Sequence, residues 1–231
     1  MALFLLIETG TAVCSVALAR DSQIVALSEN SEGQAHAKSV APYIDTILAK
    51  QNIDINALDA IVVSEGPGSY TGLRVGISVA KGICYGIKKP LIAVSSLLSL
   101  VYLAIQKKKL PTPDCLVVPM IDARRMEVYT AVFDAKANQL SETKAEIIDE
   151  NSFADILQKQ PVLFIGDGAG KCRSLLRHPN AHFADISASA IGMLTSGQFA
   201  FEHQKFVDIA YFEPFYLKDF VVTTKKKVVE E

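Results

Sequence analysis

Glycine, serine, threonine and arginine crowd into one run, Gly66-Pro67-Gly68-Ser69-Tyr70-Thr71-Gly72-Leu73-Arg74, a composition suited to holding an anion. Ala60 to Val63 predict a strand before it, and Leu73, Ile77, Ala80 and Lys81 predict a helix after it. Ser69 and Thr71 therefore stand where a helix cap is wanted. The first N–H groups of such a helix lack intrahelical partners, and its dipole places about half a positive charge there. Arg74, one turn in, puts a cation near that positive end and needs a carboxylate such as Glu8 or Glu65, or a bound anion. The run is neither a Gly-Lys-Ser/Thr phosphate loop nor a Gly-x-Gly-x-x-Gly fingerprint. The same residues also suit a strand-turn-helix unit with no ligand.

A second constellation, Asp122, Arg124 and Glu127, sits at a strand turn. Two carboxylates can serve acid/base chemistry, but an arginine between them favours a structural salt-bridge network. His36, just before a helix, fits a polar contact at a lobe or subunit junction and equally an exposed cap. Ser64, Ser69 and Ser95 have no base partner in sequence, and no Gly-x-Ser-x-Gly elbow is present. His36, His178, His182 and His203 make no metal-spaced pair, so no metal site is expected.

The elements that must position these groups run in two series. Leu3 to Ile7, Val13 to Ala19 and Ile24 to Leu27 predict an antiparallel meander. A helix from about Lys38 to Lys50 follows, with Pro42 in its first turns. Then come the strand at Ala60, the glycine turn, a helix to about Tyr85, a strand at Leu91 to Val94 and a helix from Ser95 to Ile105. Lys107-Lys108-Lys109-Leu110-Pro111-Thr112-Pro113 breaks the pattern and marks a domain boundary. Beyond it, Leu116 to Ile121, Glu127 to Phe133, Thr143 to Ile148 and Val162 to Ile165 predict strands. Ser152 is expected to cap a helix to about Gln158, and Gly166-Asp167-Gly168-Ala169-Gly170 forms a second glycine turn. The predicted division is residues 1–109, residues 110–222, and a charged tail at 223–231.

At 231 residues, 50% hydrophobic and with a formal charge of -2, the chain suits one large or two small domains with a real core. It has no basic field that would by itself hold a nucleic acid. Four scattered cysteines, Cys14, Cys84, Cys115 and Cys172, suit small core residues of a reduced, cytoplasmic protein. No stretch approaches the roughly 20 apolar residues of a membrane span.

Gly72, Gly76 and Ala80 recur every four residues and give one helix face almost no bulk. Something packs close to that face, either the sheet beneath or a helix of another subunit. Spacing alone favours the sheet, whereas the resemblance set out next leads us to expect a dimer interface, with His36, Val79 and Ile83 completing the face of Gly72, Gly76 and Ala80.

The hairpin Leu5-Leu6-Ile7-Glu8-Thr9-Gly10-Thr11 with Cys14-Ser15-Val16-Ala17-Leu18 resembles the first hairpin of the actin, Hsp70 and sugar-kinase superfamily. The Gly66 to Gly76 run is more specific. It resembles the signature of the bacterial TsaB (YeaZ) proteins and their paralogue TsaD. His36, Asp122-Ala123-Arg124 with Glu127-Val128-Tyr129, and Gly166-Asp167-Gly168 match in order, so the resemblance spans nearly the whole chain. It implies an α/β, two-lobed actin-like ATPase (ribonuclease H-like) fold with a short second lobe, each lobe a mixed sheet flanked by helices. It also implies a part in making N6-threonylcarbamoyladenosine at position 37 of tRNAs reading ANN codons. In that pathway TsaD transfers the threonylcarbamoyl group, TsaB is its dimer partner and TsaE is an accessory ATPase.

This chain departs from an active superfamily member in three places. Ser96 and Leu100 stand where TsaD carries a His-x-x-x-His metal pair. Glu8 stands where superfamily ATPases usually have Asp to organise magnesium. Only about sixty residues follow Gly170, too few for a full adenosine-binding subdomain. The expectation is a non-catalytic subunit without its own cofactor that activates a TsaD-type transferase. Glu8, Thr9, Gly66, Pro67, Gly68, Ser69, Thr71, Gly72 and Arg74 then form an inherited nucleotide loop, compatible with ATP or ADP at an interface shared with the partner. A TsaE-type ATPase and, indirectly, tRNA complete the expected assembly, and the isolated chain is a candidate homodimer. The rival readings are an actin-like small-molecule kinase or ATPase and a glycoprotease-type metallopeptidase.

Overall fold

The computed structural model describes residues 2–30 and 36–218, with the side chains of 36–38 also outside that description. The predicted tail at 223–231 lies outside it too.

The chain opens with β1 (Leu3–Glu8), β2 (Cys14–Arg20) and β3 (Gln23–Asn30), an antiparallel meander in register Leu5↔Leu18 and Ala17↔Leu27. Residues 3–8 of β1 are all buried, which suits a continuous apolar run at the centre of a sheet, whereas β3 alternates exposed and half-buried at the edge. After α1 (His36–Gln51) comes β4 (Ala60–Gly66), parallel to β1, then α2 (Tyr70–Ile87) and β5 (Leu91–Ser95). The first sheet has the order β3-β2-β1-β4-β5. One face is covered by α1 and α2, whose Val40, Ile44, Ile47, Leu73, Ile77 and Ala80 pack with Leu5, Ile7 and Val63.

The second sheet is built from β6 (Leu116–Asp122), β7 (Glu127–Thr130), β8 (Phe133–Asp134), β9 (Lys144–Ile147), β10 (Val162–Ile165) and β11 (Ala181–Phe183). Its order is β11-β10-β6-β7-β9, with β8 on β6. The helices of this half are α3 (Ser96–Gln106) before it and the short α4 (Ala154–Leu157) and α5 (Ala169–Cys172) within it; α6 (Leu194–Glu202) follows. The helix expected from Ser152 shrinks to α4. Phe153 is left-handed with φ 63°, and the Ser152 hydroxyl is tied back to Asp149 at 3.0 Å.

The packing does not follow a division at 109/110. Leu97, Leu100, Val101 and Leu103 of α3 pack with Val117, Ile121, Phe133 and Leu163 of the second sheet. Conversely, Ala190, Met193, Leu194 and Ala200 return to the first lobe and cover Phe4, Leu6, Val62, Ile92 and Val94. The charge and proline run between the sheets is real, but composition does not say which sheet a neighbouring helix covers. All four cysteines are free and buried. Burial pushes the Cys14 thiol up to about 11 and the Cys84 thiol up to about 12, in keeping with small core residues. Among the described residues no helix is long and apolar enough to cross a membrane.

Candidate functional site

The turn between β1 and β2 and the turn between β4 and α2 meet at the carboxyl ends of the central parallel strands. Ligands of open α/β sheets usually bind there. Ser69 caps α2, accepting from the Gly72 N–H at 3.2 Å, and its own N–H donates to the Gly10 carbonyl at 2.7 Å. Gly66 has φ +113° and is followed by a cis bond to Pro67. The loop expected to offer N–H groups to an anion thus spends those of Ser69, Gly72 and Leu73 inside the chain, the last on Ser69 O at 2.9 Å.

Glu8 is completely buried. Its Oε1 accepts from the Gly10 N–H at 2.6 Å, while Oε2 has no hydrogen-bond partner. Burial pushes the carboxyl up to about 7. The hydrogen bond from Gly10 works against that rise, as do the nearby Ser64 hydroxyl and Thr9 N–H, and the charge of Asp167 adds to it. Ser96 lies close by, since a Cβ on Gly10 would stand 3.0 Å from Glu8 Oε1 and 3.1 Å from Ser96 Oγ. The Ser96 hydroxyl and the Thr9 hydroxyl are likewise buried without partners.

Arg74 finds aromatic company rather than the carboxylate expected from sequence. Its Nε–H donates to the Tyr216 hydroxyl at 2.9 Å, and its guanidinium lies 4.0 Å from the centre of the Tyr70 ring. Thr71 is exposed beside it.

On the second lobe, Asp122, Arg124 and Glu127 do form a polar cluster, but its cations are not the expected one. Lys171 pairs with Asp122, and Lys218 pairs with Glu127. Lys171 Nζ also donates to the Glu127 carbonyl at 2.7 Å. Arg124 takes a left-handed turn conformation with φ 73°, its N–H donating to Asp122 Oδ1 at 2.8 Å. Its exposed guanidinium takes no part in an ion pair among the described residues. Asp167, from the second glycine turn, accepts the Asp122 N–H at 3.0 Å, and burial raises its pKa. Sequence reasoning did not place Ser64, Lys171, Tyr216 and Lys218 at this junction. Ser96 stood out only as the residue at the position of a TsaD histidine, and Asp167 only as part of the second glycine turn.

The residues present fit a magnesium nucleotide poorly. A hard cation wants ionised carboxylates, whereas burial raises the cost of ionising Glu8, pushing its pKa up to about 7, and Asp167 is committed to a backbone N–H. No cluster of three His, Cys, Asp or Glu groups suited to a metal occurs among the described residues. At the turn, the Phe215 carbonyl stands 2.9 Å from where a Cβ on Gly66 would project.

The narrow face of α2 is explained by the same hairpin. A Cβ on Gly72 would lie 2.1 Å from the Thr9 carbonyl oxygen, and one on Gly76 would lie 2.2 Å from Thr9 Oγ1. Ala80 is fully buried in the first core. Gly72, Gly76 and Ala80 therefore face the sheet of their own chain, which corrects their placement on an intersubunit surface. Val79 and Ile83 are half-buried at the border of that core. His36 begins α1, and its side chain lies outside the described residues.

The outward face of α2 carries a second small-residue series, Ser78, Gly82 and Gly86. Ser78 is exposed, and nothing lies within 4 Å of a Cβ added at either glycine. Tyr85, 81% exposed, projects from the same region. Lys81 Nζ reaches the Ala210 carbonyl at 3.5 Å, which brings the 85% exposed Tyr211 alongside.

Comparison with known proteins agrees with this architecture. Residues 24–230 match the family model described as TsaD, tRNA N6-adenosine threonylcarbamoyltransferase. The chain is 31% identical over 232 residues to the tRNA threonylcarbamoyladenosine biosynthesis protein TsaB of Haemophilus influenzae, covering 96% of this chain and 95% of that one. The structure of YeaZ from Pseudomonas aeruginosa matches with a TM-score of 0.80 at 25% identity, over 94% of this chain and all of that one (100%). The activator of the 2-hydroxyisocaproyl-CoA dehydratase from Clostridium difficile with bound ADPNP shares the fold alone. It matches at a TM-score of 0.50 and 11% identity, over 88% of this chain and 96% of that one. The two mixed sheets flanked by helices are the two-lobed architecture of actin-like ATPases, and the chain belongs to the TsaB (YeaZ) family.

Proposed function

We propose that this chain is a non-catalytic partner that binds and activates a TsaD-type transferase. Its role in tRNA threonylcarbamoyladenosine biosynthesis follows from family membership, since its relatives carry that role in their names. The observation that carries the finer reading is the outward face of α2, where Ser78, Gly82 and Gly86 leave open space beside Val79, Ile83 and Tyr85. A face with so little bulk lets a second helix approach closely and cover the apolar residues on its borders. The occupant we assign is the α2-equivalent helix of the TsaD-type paralogue. The TsaD family model extends over α2 of this chain, so the partner carries a matching helix. A TsaE-type ATPase and tRNA then reach this chain through the complex, and any ATP or ADP sits at a shared interface rather than in a site of this chain alone.

The rival ATPase reading has less support, because burial disfavours the ionised form of Glu8 and the Ser69, Gly72 and Leu73 amides of the loop are already engaged. The metallopeptidase reading has neither a metal-binding cluster among the described residues nor a nucleophile motif.

The deciding experiment is co-purification with the paralogue from the same genome, followed by threonylcarbamoyl transfer to tRNA with and without this chain. Stimulation by an order of magnitude or more is expected, and a rate independent of the chain defeats the proposal. Gly82→Arg separates activation from docking geometry. It should leave the isolated chain as stable as before while weakening partner binding at least tenfold. Unchanged affinity would remove α2 as the docking face.

A further inference from the structure

After α6 the chain crosses the first lobe again. Val207 bridges to Leu91, and Phe212 packs at the border of the first core. From Glu213 to Lys218 it then runs over the carboxyl end of β4, where the two lobes meet. Three attachments hold it there. The Phe215 N–H donates to the Glu65 carbonyl at 2.8 Å. The Tyr216 hydroxyl accepts from Arg74 at 2.9 Å while its ring lies 4.9 Å from that of Tyr70. Lys218 pairs with Glu127 at the start of β7. The first two attachments belong to one lobe and the third to the other.

These contacts differ in kind from those that hold the sheets. None of residues 213–218 enters the four apolar clusters formed by the described residues. Phe215 remains 45% exposed, and the Lys218 and Glu127 side chains keep 40% and 21% of their exposure. Exposed ion pairs are screened by salt and hold weakly. Segments with few buried apolar contacts open well below the free energy of global unfolding. What lies beneath is not weak, for the Phe215 carbonyl is packed against Gly66, the pivot of the glycine turn.

We propose that Glu213–Lys218 is a releasable strap. Seated, it closes the Gly66 to Gly72 turn and ties β4 of the first lobe to β7 of the second. Released, it uncovers the turn, leaves Arg74 stacked on Tyr70 alone and lets the lobes move relative to each other. The inference stands on these contacts and not on the proposed partner, so it holds or fails independently of that reading.

Hydrogen exchange of the full chain, read by mass spectrometry, tests it. The Phe215 amide should exchange at least ~100-fold faster than the amides of Leu5 to Ile7, as expected of a local opening. Equal protection would make the segment a fixed part of the fold and overturn the proposal. Phe215→Pro combined with Lys218→Glu removes the N–H donor and reverses one charge of the ion pair. In that variant, exchange at Ser69 to Leu73 should rise about tenfold or more while Leu5 to Ile7 stay unchanged. No rise at Ser69 to Leu73, or an equal rise at Leu5 to Ile7, also overturns it.

Discussion

Glu8→Gln should make the protein more stable at pH 8 and leave it unaltered near pH 4. Glu8 is buried with one oxygen unpartnered, and its pKa rises from the ordinary 4.5 to about 7. Between those values the folded chain keeps a proton that the unfolded chain releases. Stability contributed by the neutral carboxyl is therefore complete below about pH 4.5 and is lost progressively as pH rises through 7. The accumulated loss is about 3 kcal/mol at most, at 1.36 kcal/mol for each pH unit of the window. An amide keeps an oxygen for the Gly10 N–H and carries no charge at any pH. Urea titrations of both forms from pH 4 to pH 8 should diverge upward from pH 5. Parallel curves across that range would show that Glu8 is ionised at little cost and that the junction is wetter than its burial implies.

Gly72→Ala should be among the most damaging single-methyl additions in the chain, and Gly82→Ala, ten residues further along the same helix, should be stabilising. A Cβ at 72 meets the Thr9 carbonyl oxygen at 2.1 Å. That carbonyl belongs to the first hairpin, whose next residue, Gly10, accepts the Ser69 N–H, so neither side can yield without loosening the other. Overpacking against backbone costs about 3 kcal/mol or more, which for a chain of this size lowers Tm by about 6–12 °C. At 82 nothing lies within 4 Å of the added carbon, and replacing a helical glycine by alanine gains about 0.5–1 kcal/mol. Thermal denaturation of the two variants should bracket the unaltered protein. A Gly72→Ala protein as stable as its parent would mean that the helix does not rest on the hairpin.

The contrast between those glycines also shows what a sequence discloses and what it withholds. Period-two and period-3.6 patterns are local, so β1, β2, β4, β5 and α2 are legible, as is the Ser69 cap. The glycine spacing announces that one face of α2 is narrow, but spacing is silent about what presses on it. The neighbour is Thr9, some sixty residues earlier, and the face left open is the less conspicuous Ser78-Gly82-Gly86. Arg74 shows the same limit, because the sequence suggests Glu8 or Glu65 as its partner and its actual partner is Tyr216, 142 positions away. Lys171 and Lys218 reach Asp122 and Glu127 over 49 and 91 positions, beyond any local pattern. The two-residue β8 and three-residue β11 carry too little alternation to announce themselves.

The exchange of helices between the sheets bears on the order in which the molecule can be made. The face formed by Phe4, Leu6, Val62, Ile92 and Val94 is covered by Ala190, Met193, Leu194 and Ala200. During synthesis those first strands leave the ribosome long before their cover is translated, at a pace of about 5–20 residues each second. For several seconds the nascent chain presents an apolar sheet that it cannot yet close. A ribosome stalled before residue 190 would hold a first lobe unable to finish folding, and chaperones that bind exposed apolar strands should crowd onto it until α6 emerges.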